Sequence, residues 1–190
     1  YGDHRDLHLR LSRQRQMCIR DRVCSEEEIM ESNVVSGIAY SRDEAKMTLV
    51  SVEDRPGTAA AIFGRLSEAN VNVDMIIQNI AEDGRTDMTF SCPTDQVARA
   101  EKALLDAKAE SHVDFVDLIA DMNAAKVSAV GIGMRSQSGV AAKMFKTLSD
   151  EGINIKVIAT SEIKISVLID RKYLELAVQS LHHAFGLESA

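Results

Sequence analysis

Apolar positions along this chain follow strand and helix spacings in turn, with a polar loop between the two clearest segments. Residues 47–52 form an apolar run that predicts a strand. Residues 59–66 place apolar side chains at the i, i+3, i+4, i+7 spacing of an amphipathic helix. The stripe of that helix consists of Ala59, Ile62, Phe63 and Leu66. Residues 54–58 therefore join a strand end to a helix start.

The loop at residues 54–58 has a composition that suits a small polar pocket. Pro56 fits the first turn of a helix, where its missing N–H costs no hydrogen bond. Gly57 lets the backbone come close to a neighbour or a ligand. Asp54 can accept hydrogen bonds from free N–H groups at the helix start. Such a pocket suits a carboxylate or phosphate on its N–H groups, or an ammonium on Asp54. The alternative is an ordinary strand–turn–helix without a ligand.

The same unit occurs a second time in the chain. At an offset of 82 residues, Gly57 corresponds to Gly139 and the helix positions find identical partners. The matched pairs are Ala59 and Ala141, Ala60 and Ala142, Phe63 and Phe145, Leu66 and Leu148, Ser67 and Ser149, Asn72 and Asn154, and Ile76 and Ile158. So many coincidences at one offset indicate an internal repeat.

Each repeat predicts the element order β-α-β-β-α. The first repeat continues with a strand at 73–80, a hairpin turn at 82–85 and an alternating strand at 87–92. A helix capped by Thr94 and a last strand at 112–118 follow. In the second, the strands lie at 127–134, 155–160 and 163–169, and Asp170 caps the final helix.

A fourth strand would complete a ferredoxin-like βαββαβ fold in each repeat. The first repeat has this strand at 112–118, whereas no apolar run follows the last helix of the second. The spare strand is 34–40, separated from the strand at 46–52 by a turn at 41–44. The prediction is an α+β fold with two such domains, the first inserted in the second, whose last strand is supplied by residues 34–40.

Composition narrows the class of function. The chain has 190 residues, enough for two small domains, and a net charge of −7, which disfavours nucleic acid and anionic membranes as partners. No apolar run is long enough to span a membrane. The three cysteines are Cys18, Cys24 and Cys92, without the spacing of a zinc site or a disulfide framework, so a cytoplasmic protein is expected.

The first 22 residues differ from the rest, with six Arg against three Asp and no periodic apolar face. We interpret residues 1–22 as a disordered or foreign leader rather than a basic nucleic-acid arm. Residues 23–33 are interpreted as a linker. Without the leader, 16 basic against 26 acidic residues leave a net charge of −10.

No catalytic motif stands out. The histidines His112, His182 and His183 lack a partner at a catalytic spacing, and no metal site or cofactor is expected. The pair Gly131 and Gly133 is interpreted as strand glycines under a close backbone neighbour. What remains is a pair of ligand-sized polar pockets, one in each repeat. Each combines the loop before a helix with the polar residues at the end of the second strand, Gln78 and Asn79 in the first repeat; exposed strand ends are the alternative.

Several strings of the sequence carry a family resemblance: residues 54–57 with 70–79, and the strings at 35–46, 87–93, 126–136 and 160–169. They resemble the ACT domain, and their tandem arrangement resembles the regulatory region of aspartate kinase. The resemblance implies a first ACT domain at 45–119 and a second formed by 34–40 plus 126–187. Residues 1–22 do not match, and we expect no part of the kinase catalytic domain, where ATP would bind, in these 190 residues.

The resemblance implies a sensor of lysine and/or threonine that restrains phosphorylation of aspartate by a catalytic domain or subunit. Its effector pocket would form where ACT domains of two chains pair side by side, so a monomer should bind poorly. The effector-binding positions are Asp54, Pro56, Gly57, Thr58, Ala59, Gln78 and Asn79, with Asn154 and Ile155 supplied by the partner chain. Asp54 would take the effector's ammonium group and backbone N–H groups its carboxylate. A possible second effector site consists of Ser136, Ser138, Gly139, Val140, Thr160, Ser161 and Glu162.

Several alternatives stay open. An ACT-type regulator of a different metabolic enzyme would share this fold. A ferredoxin-like nucleic-acid module needs a basic face with stacking aromatics, whereas aromatics make up 4% of this chain. A metal-carrying domain of this fold would need a CxxC loop in place of 54–57. The chain is equally compatible with a separate regulatory subunit and with a piece of a longer kinase.

Overall fold

A computed structural model of the chain describes residues 34–79, 84–132, 134 and 139–187. The expected leader and linker, at 1–33, lie outside these residues, as do Glu82 and Asp83 of the predicted hairpin turn. The strands are β1 (Gly37–Glu53), β2 (Ile76–Gln78), β3 (Arg85–Pro93), β4 (Asp117–Val130), β5 (Ile155–Thr160) and β6 (Lys164–Asp170). The helices are α1 (Thr58–Glu68), α2 (Val97–Ala109), α3 (Val140–Asp150) and α4 (Leu174–Ala184).

The strands form one six-stranded antiparallel sheet in the order β2-β3-β1-β4-β6-β5. Its two central strands are long and serve both repeats. The second half of β1 pairs with β3, Met47 opposite Phe90, whereas its first half pairs with the end of β4, Gly37 opposite Val130. The segment at the front of the chain therefore closes the sheet of the second repeat. The predicted pair of ferredoxin-like domains, the first inserted in the second, is confirmed.

Two of the predicted interruptions between strands are wrong. The expected turn at 41–44 is part of β1, and the strands expected at 112–118 and 127–134 are replaced by one strand, β4. Polar residues lie at 41–43 because β1 crosses there from one repeat to the other. Its register with β4 shifts between Ser41 and Glu44, and its pairing with β3 begins only at Glu44. Polar sequence here marks an irregular crossing and not a turn.

Local predictions near β2 and α2 need correction too. Within the described residues 73–79, the strand expected at 73–80 is limited to β2, since the backbone groups of residues 74–75 bond to a single residue, Ser91, instead of extending a ladder. Thr94 does not cap α2; it opens a short 3₁₀ turn, and its hydroxyl accepts a hydrogen bond from Arg171 at 3.1 Å. Asp170 caps the corresponding 3₁₀ turn, accepting from the N–H of Lys172 at 3.1 Å, but, contrary to the expectation, it does not cap α4 itself, because that turn separates it from the helix.

Each repeat buries its helices against its own half of the sheet. The first core is built on Met47, Leu49, Ile62, Leu66, Phe90 and Leu104. The second core is built on Val127, Met144, Leu148, Val167, Ile169 and Leu181. The predicted stripe of α1 is right at Ile62 and Leu66, but Ala59 is exposed at the start of the helix. A third, smaller cluster joins the repeats through Met75, Val157 and Leu168.

Gly131 confirms the prediction of a close backbone neighbour, although it lies just after β4 and not within a strand, and Gly133 lies outside the described residues. A Cβ atom at this position would lie 1.8 Å from the carbonyl oxygen of Val34. Val35 beside it is buried in the second core. The chain therefore enters the second repeat by passing directly over Gly131, which no other residue type permits without a shift of backbone.

Candidate functional site

The loop between β1 and α1 is folded tightly on itself. The Thr58 hydroxyl donates to the Glu53 carbonyl at 3.0 Å, and the Thr58 N–H donates to the Arg55 carbonyl at 3.2 Å. Gly57 has φ +97°, and a Cβ there would meet nothing within 4 Å. The glycine is thus required for its left-handed backbone and not for a close approach within the protein.

The start of α1 is open. Within the described part of the chain, no side chain caps α1 and no acidic residue lies in its first turn. Asp54 does not cap the helix, contrary to the expectation from its position. The Thr58 N–H bonds the Arg55 carbonyl and the Ala61 N–H bonds the Gly57 carbonyl, so the N–H groups of Ala59 and Ala60 are the ones at the positive end of the helix dipole without an acceptor inside the helix. An anion could therefore bind here without displacing a protein side chain.

The structure brings Asp54 and Gln78 together. The Gln78 amide donates from Nε2 to Asp54 Oδ1 at 3.3 Å, and both side chains are exposed. The two residues are 24 positions apart, and the sheet makes them neighbours because β2 ends beside the loop. Asn79 follows Gln78, and its N–H donates to the Asp87 carbonyl at 3.4 Å. One carboxylate oxygen of Asp54 is held by the amide, which leaves the group accessible to a cation.

A cavity of about 200 Å³ adjoins the loop, and neither Asp54 nor Gln78 is among the residues that line it. It is lined by Glu53, Arg55, Pro56, Gly57, Thr58 and Ala61 from the loop and helix, and by His112, Val113 and Asp114 from the segment before β4. The segment 112–114 was missed by the sequence analysis, which assigned it to a strand. No local pattern could have found it, because its approach to the loop depends on where α2 ends.

Asn154 and Ile155 lie at the start of β5, one of the two outermost strands. The Asn154 side chain is exposed, whereas Ile155 packs against the second core. Among the described residues, no hydrogen bond joins either of them to Gln78 or to the loop at 54–58. The pairing expected between two chains is therefore not formed within one chain.

The second repeat has a corresponding opening. Gly139, with φ +109°, precedes α3 as Gly57 precedes α1, and Val140 is buried beneath it. A cavity of about 350 Å³ is lined by Thr160, Ser161 and Glu162 together with Met134, Ala141 and Ile165. Three of the seven expected residues, Thr160, Ser161 and Glu162, therefore line one cavity, whereas Gly139 and Val140 precede its lining residue Ala141 in the chain. Ser136 and Ser138 lie outside the described residues.

A group of charged residues that the sequence analysis did not single out lies where the repeats meet. The ammonium of Lys126 donates to Asp74 and lies 3.2 Å from Glu44 Oε1. Burial lowers the pKa of Lys126, but the bond to Asp74 and the charge of Glu44 outweigh it and raise that pKa. The bond from Lys126 lowers the pKa of Asp74.

A second ion pair involves β4, the strand that also carries Lys126. Lys156 donates to Asp121 Oδ2 at 2.7 Å and to the Asn123 carbonyl at 2.9 Å. Burial acts to raise the pKa of Asp121, but the hydrogen bonds from Lys156 and Asn123 lower it overall. Strand β4 therefore carries two charged contacts, one to the segment before β2 and one to the start of β5.

Two classes of feature are missing from the described ranges. There, no cluster of three or more His, Cys, Asp or Glu side chains could hold a metal ion. No helix in the same ranges has the length and apolar character needed to cross a membrane.

Two family models match the chain, and both are described as ACT domain. They cover residues 46–109 and 127–185, one in each repeat. The aspartokinase of Pseudomonas aeruginosa is 52% identical over 164 residues, which are 86% of this chain and 39% of that protein. The chain thus spans about two fifths of the length of the curated relatives it matches.

Two solved structures are matched over nearly their whole length. A chain of the crystal structure of aspartokinase alpha and beta subunits is 47% identical, with a TM-score of 0.72, covering 80% of this chain and 99% of that one. The ligand-free regulatory subunit of aspartate kinase from Thermus thermophilus is 40% identical, with a TM-score of 0.74 and the same coverage. Two ACT domains in tandem and an almost complete match to regulatory subunits place this chain in the family of aspartokinase regulatory regions.

Proposed function

We propose that this chain is the amino-acid-sensing part of an aspartate kinase, and that it binds lysine and/or threonine to restrain phosphorylation of aspartate. The observation that carries the proposal is the open start of α1 beside the exposed Asp54–Gln78 pair, in a chain of this family. An amino-acid effector presents an ammonium and a carboxylate a short distance apart. Asp54 offers a partner for the first group, and the N–H groups around Ala59 offer one for the second.

The loop residues divide the work of binding. Pro56 and Gly57 shape the turn that leaves the helix start uncovered, and Thr58 holds the turn through its bond to Glu53. Gln78 orients the Asp54 carboxylate, and Asn79 lies next to it at the end of β2. Selection between effector side chains would fall to the residues around this pair and to a partner chain.

We further propose that a second copy of the chain completes the pocket. The strands β2 and β5 are the two edges of the sheet, and each exposes an isoleucine at the same place in the repeat: Ile76 is 51% exposed and Ile158 is 44% exposed. Pairing β2 of one chain beside β5 of another would cover both. The partner's Asn154 would then contribute its side chain, and its Ile155 the backbone, because that side chain packs inward.

A second effector site is proposed at the cavity of the second repeat. Thr160, Ser161 and Glu162 supply hydroxyls and a carboxylate, and Gly139 and Val140 open the start of α3. Glu162 replaces Asp54 as the candidate partner of an ammonium. The chemistry of this cavity differs enough that a different effector is expected there.

Titration calorimetry of the full chain with lysine and with threonine tests the proposal. A ligand that binds only the folded state should also raise the melting temperature as its concentration rises. Asp54→Ala should remove binding at the first site, while Asp43→Ala, which changes an exposed carboxylate on β1, should leave it intact. Binding of other amino acids alone would favour a regulator of a different enzyme. Unchanged affinity in Asp54→Ala would remove Asp54 from the site.

The restraint of catalysis needs its own measurement. Aspartate phosphorylation by the corresponding catalytic part should fall when effector is added in the presence of this chain, and Asp54→Ala should abolish that fall. Inhibition that is indifferent to Asp54 would place the regulatory site elsewhere.

A further inference from the structure

The segment leading into β2 is attached to the second repeat by a lysine. Lys126, on the second half of β4, donates to the carboxylate of Asp74, four residues ahead of Gln78. The Lys126 side chain is only 19% exposed. Asp74 and Met75 are also bonded to Ser91 of β3, so this segment is held on two sides. Gln78 itself pairs with Met88 in the ladder between β2 and β3, and the attachment at Asp74 holds the chain just ahead of that ladder.

Glu44 is the second carboxylate in contact with Lys126. Its side chain is 8% exposed, and its Oε1 lies 3.2 Å from Lys126 Nζ. Its other carboxylate oxygen, Oε2, has no hydrogen-bond partner within the described part of the chain. A buried carboxylate in this state strongly favours a nearby cation, since charges interact more strongly away from water. Glu44 therefore keeps Lys126 at the crossing of the strands.

The start of β5 is attached to β4 in the same manner. Lys156 directly follows Asn154 and Ile155, and its ammonium bonds both Asp121 and the carbonyl of Asn123. The Lys156 side chain is also 19% exposed. Both halves of the proposed effector site, Gln78 and Asn154, are thus linked within one chain to a single strand.

We propose that Lys126 and Lys156 are positioning residues of the effector site. Each of them fixes the position of one of the chain's two half-sites relative to β4. This inference rests on the proposed function. It concerns residues that touch no effector: Lys126 acts through Asp74 on Gln78, and Lys156 acts on the start of β5. The two contacts also give a route by which a ligand at one half-site can bias the other, because β4 runs unbroken between them.

Effector affinity of the full chain, measured by calorimetry with lysine and threonine well below the melting temperature, tests the inference. Lys126→Met and Lys156→Met should each weaken binding by about three- to thirtyfold. Lys102→Met, which removes an exposed lysine paired with Asp106 on α2, is the matched control and should bind as the parent does. Lys126→Arg should retain most of the affinity, because the arginine can still reach both carboxylates.

A double-mutant cycle separates positioning from stability. Asp74→Asn should weaken binding like Lys126→Met, and the double variant should be no weaker than either single one, because all three lose the same bond. Asp74 is partly exposed, so its variant is expected to fold even if Lys126→Met does not. Lower melting temperatures with parental affinity in Asp74→Asn and Lys156→Met would overturn the inference. Should the parent itself bind neither amino acid, the proposed function fails first, and the inference with it.

Discussion

The two repeats are most alike where each builds its own core and most different where they meet. Leu66 and Leu148 correspond at the offset of 82 residues, and both are fully buried. At the same offset Glu44 corresponds to Lys126, and Asp74 to Lys156, so the charge is reversed at both positions. Glu44 and Lys126 contact each other. Identical repeats would place like charges there, so the reversal makes the first repeat complementary to the second.

The loops differ in a related way. The positions of Asp54 and Ser136 correspond, so only the first loop carries its own carboxylate. In the second repeat a carboxylate reaches the corresponding cavity from Glu162, at the other end of β5. One backbone design therefore presents two chemically different openings.

The shared cores offer the strongest test of the comparison. Leu66→Ala and Leu148→Ala should each lower the free energy of unfolding by about 3–5 kcal/mol, because each leaves a cavity in a fully packed core. Since β1 and β4 belong to both repeats, denaturant unfolding should remain one transition in each variant. Leu105→Ala, at a site 53% exposed, is the control and should cost far less. Two separate transitions would show that the repeats unfold independently.

Making the repeats alike at their meeting point should also be costly. Glu44→Lys sets two ammonium groups against each other in a buried place, and we expect a loss of about 3 kcal/mol in the free energy of unfolding. Adding Lys126→Glu restores opposite charges and should recover part of the loss, though Asp74 then faces a carboxylate. If the double variant loses as much free energy of unfolding as the two single variants together, the contact between Glu44 and Lys126 is not what makes the repeats complementary.

Gly131 tests the entry of the chain into the second repeat, which has no counterpart in the first. Gly131→Ala should lower the free energy of unfolding by about 2 kcal/mol, because its methyl group overlaps the Val34 carbonyl. Gly64→Ala, on the exposed face of α1 with no atom near its Cβ position, should instead stabilise the protein by about 0.5–1 kcal/mol. Thermal unfolding of both variants measures the difference, and equal stability would contradict the close passage.

The smallest expected effect concerns pH. The pKa of Asp74 is lowered in the folded protein, so its contribution to stability is present above its ordinary value of 3.8 and is lost as the pH falls through the lowered value. Asp74→Asn should therefore reduce the loss of stability on acidification below about pH 4. Melting temperatures of parent and variant between pH 2.5 and pH 6 check this, and parallel curves would contradict it. The pKa of Lys126 is raised in the folded protein, so its contribution to stability is lost at the alkaline end, as the pH rises through that raised value.

Local pattern determined much of this protein. The repeat, the buried stripes around Leu66 and Leu148 and the alternation of β3 follow from spacing and residue type alone, because each depends on neighbours within a few positions. The closure of the second sheet by the front of the chain also followed, since only one strand remained unassigned. The resemblance of the strings to tandem ACT domains, confirmed by the family models and relatives, supplied the rest of the identification.

Only the tertiary structure decided how those elements join. The polar residues at 41–43 resemble a turn locally, yet they belong to one long strand because pairing with β4 and β3 carries the chain straight through. The bond between Gln78 and Asp54, and those from Lys126 and Lys156, join residues 24 to 52 positions apart. Charge and polarity at such positions read as ordinary surface until the sheet brings partners within hydrogen-bonding distance, because a contact between distant residues leaves no periodic trace in either segment.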